Sequence, residues 1–223
     1  MVKLDLHTHS ILSHDGGISL DEYSNVLLSG ILDCIAITDH DNIQFAHKLR
    51  QRLGERIIVG QEIKTREGEM IGLFLQKKIP SGLSALETAK KIRQQRGLVY
   101  IPHPFETKRS SMQQETLTAL LGYLDIIEAF NARGFLRGKA KEAARFASQK
   151  KLAMAASSDS HSLQGLGSAF SVIEEIPLAT TLVALLQKGK LEKRYAPFYT
   201  LVYPKLNQIR KILRKDANDW ENS

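Results

Sequence analysis

A chain of 223 residues, 43% hydrophobic and 25% charged, is long enough for one well-buried core and has the composition of an ordinary soluble globular protein. No apolar run approaches the roughly 20 residues that span a bilayer, no signal-peptide pattern opens the chain, and the single cysteine, Cys34, excludes an internal disulfide framework, so a cytoplasmic location is expected. The net charge of +7 is concentrated: between residues 188 and 215 nine cations stand against one acid, Glu192, and the preceding chain is close to neutral.

The chain opens on an apolar strand that runs into His7-Thr-His9. Alternate residues of a strand share a face, so the two imidazoles aim at one point, a natural pair of ligands for a divalent transition metal. A loop with Gly16-Gly17 precedes a helix predicted over 20–29, with Ser19 as its cap and Gly30 as its stop. A strand over 31–37, with Cys34 as buried filler, ends in Thr38-Asp-His-Asp41. A helix over 43–53 stops at Gly54, and a strand over 56–59 leads to Gly60-Gln-Glu62. Glu67-Gly-Glu69 makes a turn before a strand over 70–75.

An amphipathic helix over 84–95 precedes a strand over 98–101 that ends in Pro102-His-Pro104. A helix around 113–121 precedes the strand Ile126-Ile127, which runs into Glu128-Ala-Phe-Asn131. A helix over 138–150 and a strand over 152–156 lead to Ser157-Ser-Asp-Ser-His161; a last strand near 169–173 and a helix over 178–186 follow. Strand, polar residues and helix recur six or seven times, which argues for an α/β fold of parallel strands and crossover helices. The polar sets fall at the strand ends, where such folds build their sites.

Collected, the strand-end groups are His7, His9, Asp15, Asp39, His40, Glu62, His103, Glu128, Asp159 and His161, and they include five of the seven histidines. One ion needs three or four such groups, so this many points to two or three divalent ions bridged by carboxylates. The competing reading is a set of caps and supporting residues without metal.

His7-x-His9, Thr38-Asp-His40, Gly60-x-Glu62, His103-Pro104 and Asp159-x-His161 resemble the successive motifs of the PHP (polymerase and histidinol phosphatase) superfamily, over roughly residues 1–175. The resemblance implies a distorted (β/α)7 barrel, PHP-type and TIM-barrel-like, with a trinuclear site for zinc, manganese or iron. By that pattern His7, His9, Glu62 and Asp159 hold one ion, Glu62 and His103 reach a second, and Asp15, His40 and His161 hold a third. This chain has one residue more than the family's usual spacing before Asp15, which leaves His14 as a rival to it. The second ion's remaining ligand is expected to be Glu128, with Asn131 as the rival, and Asp39 is expected to orient a neighbouring ligand.

The implied activity is hydrolysis of a phosphate ester, a small-molecule or nucleotide phosphomonoester, by metal-activated hydroxide, with Glu62, Asp159, His161 and Arg133 as catalytic residues. Arg109 and Arg133 stand in strand-end loops suited to forked contact with a substrate phosphate, and Lys108 is a weaker candidate. A nuclease acting on oligonucleotide ends and a non-catalytic binding or scaffold module are the alternatives. Residues 1–194 are expected to form the PHP domain and 195–223 a C-terminal extension with a basic amphipathic helix. Leu206, Ile209, Ile212 and Leu213 would pack on the barrel and the cations would face outward, toward a nucleic-acid or anionic-membrane partner.

Overall fold

The computed structural model describes residues 1–106, 110–136 and 138–214. Three parallel strands, β1 (Val2–Asp5), β2 (Cys34–Ile37) and β3 (Ile57–Lys64), alternate with helices α1 (Leu20–Leu28) and α2 (Gln44–Leu53). After β4 (Glu69–Leu73) and α3 (Ala85–Gln94) come three more parallel strands, β5 (Leu98–Ile101), β6 (Ile126–Asn131) and β7 (Ala153–Ser157), joined by α4 (Gln114–Ala119) and α5 (Ala140–Lys150). β8 (Ala169–Ile173), α6 (Leu182–Lys188) and β9 (Lys190–Lys193) follow, then a 3-10 turn over Phe198–Val202 and α7 (Tyr203–Arg214).

The nine strands form one sheet in the order β7-β6-β5-β4-β3-β2-β1-β8-β9, rolled into a nearly closed barrel. β7, at one end, approaches β8 and β1 where the Ala156 N–H donates to Ser171 Oγ and the His9 N–H donates to the Ser160 carbonyl at 2.9 Å. Among the described residues, no helix is long and apolar enough to cross a membrane.

Two departures from a uniformly parallel barrel have local causes. β4 runs antiparallel to both β3 and β5, because only residues 65–68 separate it from β3. A link that short closes a hairpin, whereas a parallel return needs a dozen residues or more. In consequence the first residue of β4, Glu69, lies at the same end of the barrel as the last residues of the parallel strands. β8 runs antiparallel to β1 and carries β9, a short polar edge strand that the strand–helix rhythm does not predict.

Side chains alternating along the strands divide the core in two. Leu4, Ala36, Ile58, Ile71, Tyr100, Ile126 and Ala155 pack together in one cluster. On the other face Ile35, Ile37, Ile57 and Val59 meet α1 and α2, and Val99, Ile101 and Ile127 meet α3 and α5. A fully buried aliphatic side chain contributes about 1.5–3 kcal/mol, so these layers carry the fold and leave the polar rim for chemistry. Cys34 lies within the first cluster, and burial pushes its thiol up to about 12, in keeping with filler.

The C-terminal helix corrects the sequence reading. α7 does lie on the barrel, but its apolar stripe faces outward, with Ile212 77% and Leu213 78% exposed and Leu206 and Ile209 also exposed. The inward face carries Asn207 and Lys211 instead, which donate to loop carbonyls. The barrel surface beneath presents the carbonyls of Ser13, Asp15, Gly16 and His161, which accept these donors.

The hairpin supplies a test. Gly68 has φ +140, and a Cβ there would meet the Met112 backbone nitrogen at 2.8 Å. Gly68→Ala should therefore cost about 1–3 kcal/mol, a fall of about 2–4 °C in Tm per kcal/mol. Gly122→Ala, where a Cβ meets nothing within 4 Å, should not lower the Tm in the same thermal melt.

Candidate metal centre

The site is assembled at the C-terminal ends of the parallel strands. β1 stops at Asp5, whose carboxylate accepts from the backbone N–H of His7 and of Ser158, tying the His7–His9 segment to the Asp159–His161 segment. The two imidazoles then meet as their spacing predicts, with His7 Nε2 3.1 Å from His9 Nε2. Glu62 Oε2 lies 3.2 Å from each of these nitrogens, and Asp159 Oδ1 lies 3.6 Å from each. An ion bonded at about 2.0–2.1 Å by a tetrahedron of nitrogen and oxygen atoms needs its ligands about 3.3–3.4 Å apart. Five of the six edges of this set therefore lie close to what such an ion requires.

Two further sets share residues with the first. Glu62 turns its other oxygen, Oε1, to His103 Nε2 at 3.2 Å, so that His7, Glu62 and His103 also form a group. His9, Asp15, His40 and His161 form the third, with His161 Nε2 3.1 Å and His40 Nε2 3.8 Å from Asp15 Oδ2. Asp15 is the member at this corner; His14 has a side chain 62% exposed and its Nδ1 is 3.9 Å from the Asp15 carboxylate. Two ligand positions are held in the left-handed backbone region, His103 at φ 29 and Asp159 at φ 51. Such strain persists where the surroundings over-determine it, typically at functional sites.

Glu128, expected as a ligand, is committed elsewhere. Its Oε1 meets His7 Nδ1 at 3.1 Å and accepts from the Tyr100 hydroxyl at 2.9 Å; its Oε2 accepts from the His103 N–H at 2.6 Å and Asn131 Nδ2 at 2.8 Å. Asn131, the rival, spends its amide on Glu128, on Asp159 and on the Arg133 N–H. Asp39 accepts from both the backbone N–H and the hydroxyl of Ser10, so it anchors the loop after His9 rather than an imidazole. Arg133 reaches the centre, its Nη1 3.4 Å from Asp159 Oδ1 and 3.1 Å from His161 Nδ1. Arg109 and Lys108 lie outside the described residues.

Comparison with known proteins bears on the family and the fold. A family model described as PHP-associated matches residues 139–191, a stretch that runs from the start of α5 into β9 and contains Asp159 and His161. The uncharacterized protein MJ1587 of Methanocaldococcus jannaschii is 35% identical over 149 residues, which are 60% of this chain and 86% of that one. A two-domain protein of Bacteroides vulgatus, described as containing a "predicted PHP-like metal-dependent phosphoesterase", superposes with a TM-score of 0.70 at 21% identity. The match covers 86% of this chain but 65% of that one, so the chain spans a little under two thirds of it.

The chain belongs to the PHP superfamily.

The lesion-specific endonuclease PfuEndoQ of Pyrococcus furiosus has the same fold, with a TM-score of 0.60 at 17% identity over 86% of this chain and 57% of its own.

The PHP centre is electrostatically polarised. Burial opposes the charged form of Glu62, but His7, His40 and His103 outweigh it and hold the carboxyl well below its usual range. Burial likewise opposes protonation of His9, and the carboxylates of Asp159 and Glu62 overcome it, raising the imidazole to about 9. At the third set the balance is reversed: burial, His9 and Arg133 push His161 down to about 3. Its Nδ1 lies 2.9 Å from the Asp159 carbonyl and 3.1 Å from Arg133 Nη1, and its Nε2 lies 3.1 Å from Asp15 Oδ2.

Several supporting groups escaped the motif reading. Ser111 Oγ meets His103 Nδ1 at 3.1 Å, and Ser13 Oγ donates to Asp15 Oδ1 at 2.8 Å. Glu69 Oε2 lies 3.8 Å from His103 Nε2, and burial together with Glu62 raises its carboxyl to about 7. For Asp5 a signal existed, an acid between Leu4 and Leu6 in an otherwise apolar strand. The serines carry no sequence signal.

These shifts fix a pH dependence for metal uptake. In the metal-free protein His9 keeps its proton until about pH 9, and an incoming ion must displace it. Apparent affinity for a divalent ion should rise with pH through neutrality as His7 and His9 give up their protons. Titration calorimetry in two buffers of different ionisation enthalpy should show proton release at neutral pH, and identical heats would contradict it.

Proposed function

We propose that this chain is a metal-dependent phosphoesterase with a trinuclear centre, hydrolysing a phosphomonoester of a small molecule or nucleotide. The observation that carries the reading is the near-tetrahedral set of His7, His9, Glu62 and Asp159, sharing Glu62 with His103 and His9 with a third set. His7, His9, Glu62 and Asp159 would hold one ion, Glu62 and His103 would reach the second, and Asp15, His40 and His161 would hold the third. When bound, zinc, manganese or iron ions supply Lewis acidity toward phosphoryl oxygens and activate water as the nucleophile.

The protein's own residues set the rest. Glu62 offers one oxygen to each of two neighbouring sets, which lets a single carboxylate offset the repulsion between cations. Glu128 fixes the rotation and tautomer of His7 through Nδ1, so that Nε2 is the nitrogen presented to the cluster. Arg133, with a side chain only 15% exposed, places a planar guanidinium at the edge of Asp159 and His161, suited to forked contact with two phosphoryl oxygens. Arg109 is proposed as a second phosphate contact on its sequence position alone.

A nuclease reading has one specific support. α7 touches the Asp15 loop and carries Lys205 and Arg210 on its exposed surface. Salt-sensitive binding of oligonucleotides would favour it over a small phosphomonoester.

Two substitutions test the roles. Glu62→Gln should abolish turnover and reduce metal content by elemental analysis, and full activity with unchanged metal would remove Glu62 from the centre. Arg133→Ala should leave metal content intact while lowering kcat/KM for phosphate release by about a hundredfold, about 2.7 kcal/mol of transition-state stabilisation. Unchanged kinetics would return Arg133 to a structural partner of Asp159.

A further inference from the structure

The face by which α7 meets the barrel is polar and is directed at the ligand loops. Asn207 is 6% exposed, and its Nδ2 donates to the Asp15 carbonyl at 2.9 Å and to the His161 carbonyl at 3.0 Å. Those two residues belong to one ligand set and are 146 positions apart in the chain. One turn further along the helix, Lys211 Nζ donates to the Ser13 carbonyl and to the Gly16 carbonyl at 2.7 Å, bracketing Asp15. The loop is shaped to receive the helix: a Cβ on Gly17 would stand 2.7 Å from Asn207 Nδ2 and 2.9 Å from its Oδ1. On the outward stripe Ile212 and Leu213 are largely uncovered, at 77% and 78% exposed.

We propose that α7 is a working part of the metal centre, with Asn207 as a positioning residue that fixes the backbones of Asp15 and His161 relative to each other and Lys211 as the clasp on the Asp15 loop. The proposal rests on reading His9, Asp15, His40 and His161 as a metal subsite. Each carbonyl belongs to a residue whose side chain supplies a ligand atom, so a shift of either backbone carries its ligand with it. The hydrogen bonds of Asn207 and Lys211 go to the carbonyls of Ser13, Asp15, Gly16 and His161, at the third set's end of the centre.

The test uses the full chain reconstituted with manganese and titrated with the same ion, in parallel with thermal melts. The unaltered protein should take up three ions, and Asn207→Ala should retain two unchanged while weakening the third by about tenfold or more. Gly17→Ala, which crowds Asn207 from the opposite side, should reproduce that loss, and the double variant should be no weaker than either single one. Ile212→Ser, on the outward stripe, should bind as the unaltered protein does. Retention of all three ions at unchanged affinity in Asn207→Ala would overturn the proposal. So would a uniform loss of all three in step with a fall in Tm, which is the mark of a merely structural role. An unaltered protein that binds no manganese would remove the metal subsite itself, a failure distinct from that of the helix.

Discussion

Glu62 and Asp159 are carboxylates almost fully withdrawn from water, each within 3.6 Å of the Nε2 atoms of His7 and His9. Taking an ionised carboxylate out of water costs several kcal/mol, and such a group is retained only where positive charge and hydrogen bonds offset the loss. In the metal-free protein the offset is made with protons, which is why His7 and His9 are driven toward their charged forms while Glu62 is driven toward its anion. A divalent ion at the same point would meet that need without the protons. The close packing of like groups and the inverted titration of His161 both follow from concentrating so many ligands in one volume.

The barrel makes the concentration possible. Strands in parallel deliver their ends to one rim, so residues from 7 to 161 converge without the chain crossing itself, above a layer of apolar side chains. Around the ligands lies a set of fixed hydrogen bonds: Asp5 on the His7 and Ser158 amides, Glu128 on His7 Nδ1, Ser111 on His103 Nδ1, and Asp39 on Ser10. Each removes a rotation or a backbone freedom that would otherwise have to be lost when an ion binds. α7 extends this support from a segment far along the chain.

The convergence of His7, His9, Asp15, His40, Glu62, His103, Asp159 and His161 was legible because it rests on local rules, strand periodicity and the placement of polar residues after strands. The direction of β4 was legible in principle, since the turn around Gly68 leaves no room for a crossover. What was not legible depends on orientation. An acid at a strand end reads as a ligand, yet the oxygens of Glu128 face four donors that only the folded barrel brings to them. Helical periodicity identifies the two faces of α7 but not which one docks; in the fold it is the polar face, where Asn207 meets the Asp15 and His161 carbonyls. β9, four residues with three of them exposed, carries too little pattern to stand out.

The central claim is that these buried side chains form one metal centre, and anomalous X-ray scattering from crystals grown with zinc or manganese tests it most directly. The account predicts a strong peak within bonding distance of His7 Nε2, His9 Nε2, Glu62 Oε2 and Asp159 Oδ1, with neighbouring peaks beside His103 and beside Asp15 and His161. Crystals grown at saturating metal that show no peak among these atoms would contradict it.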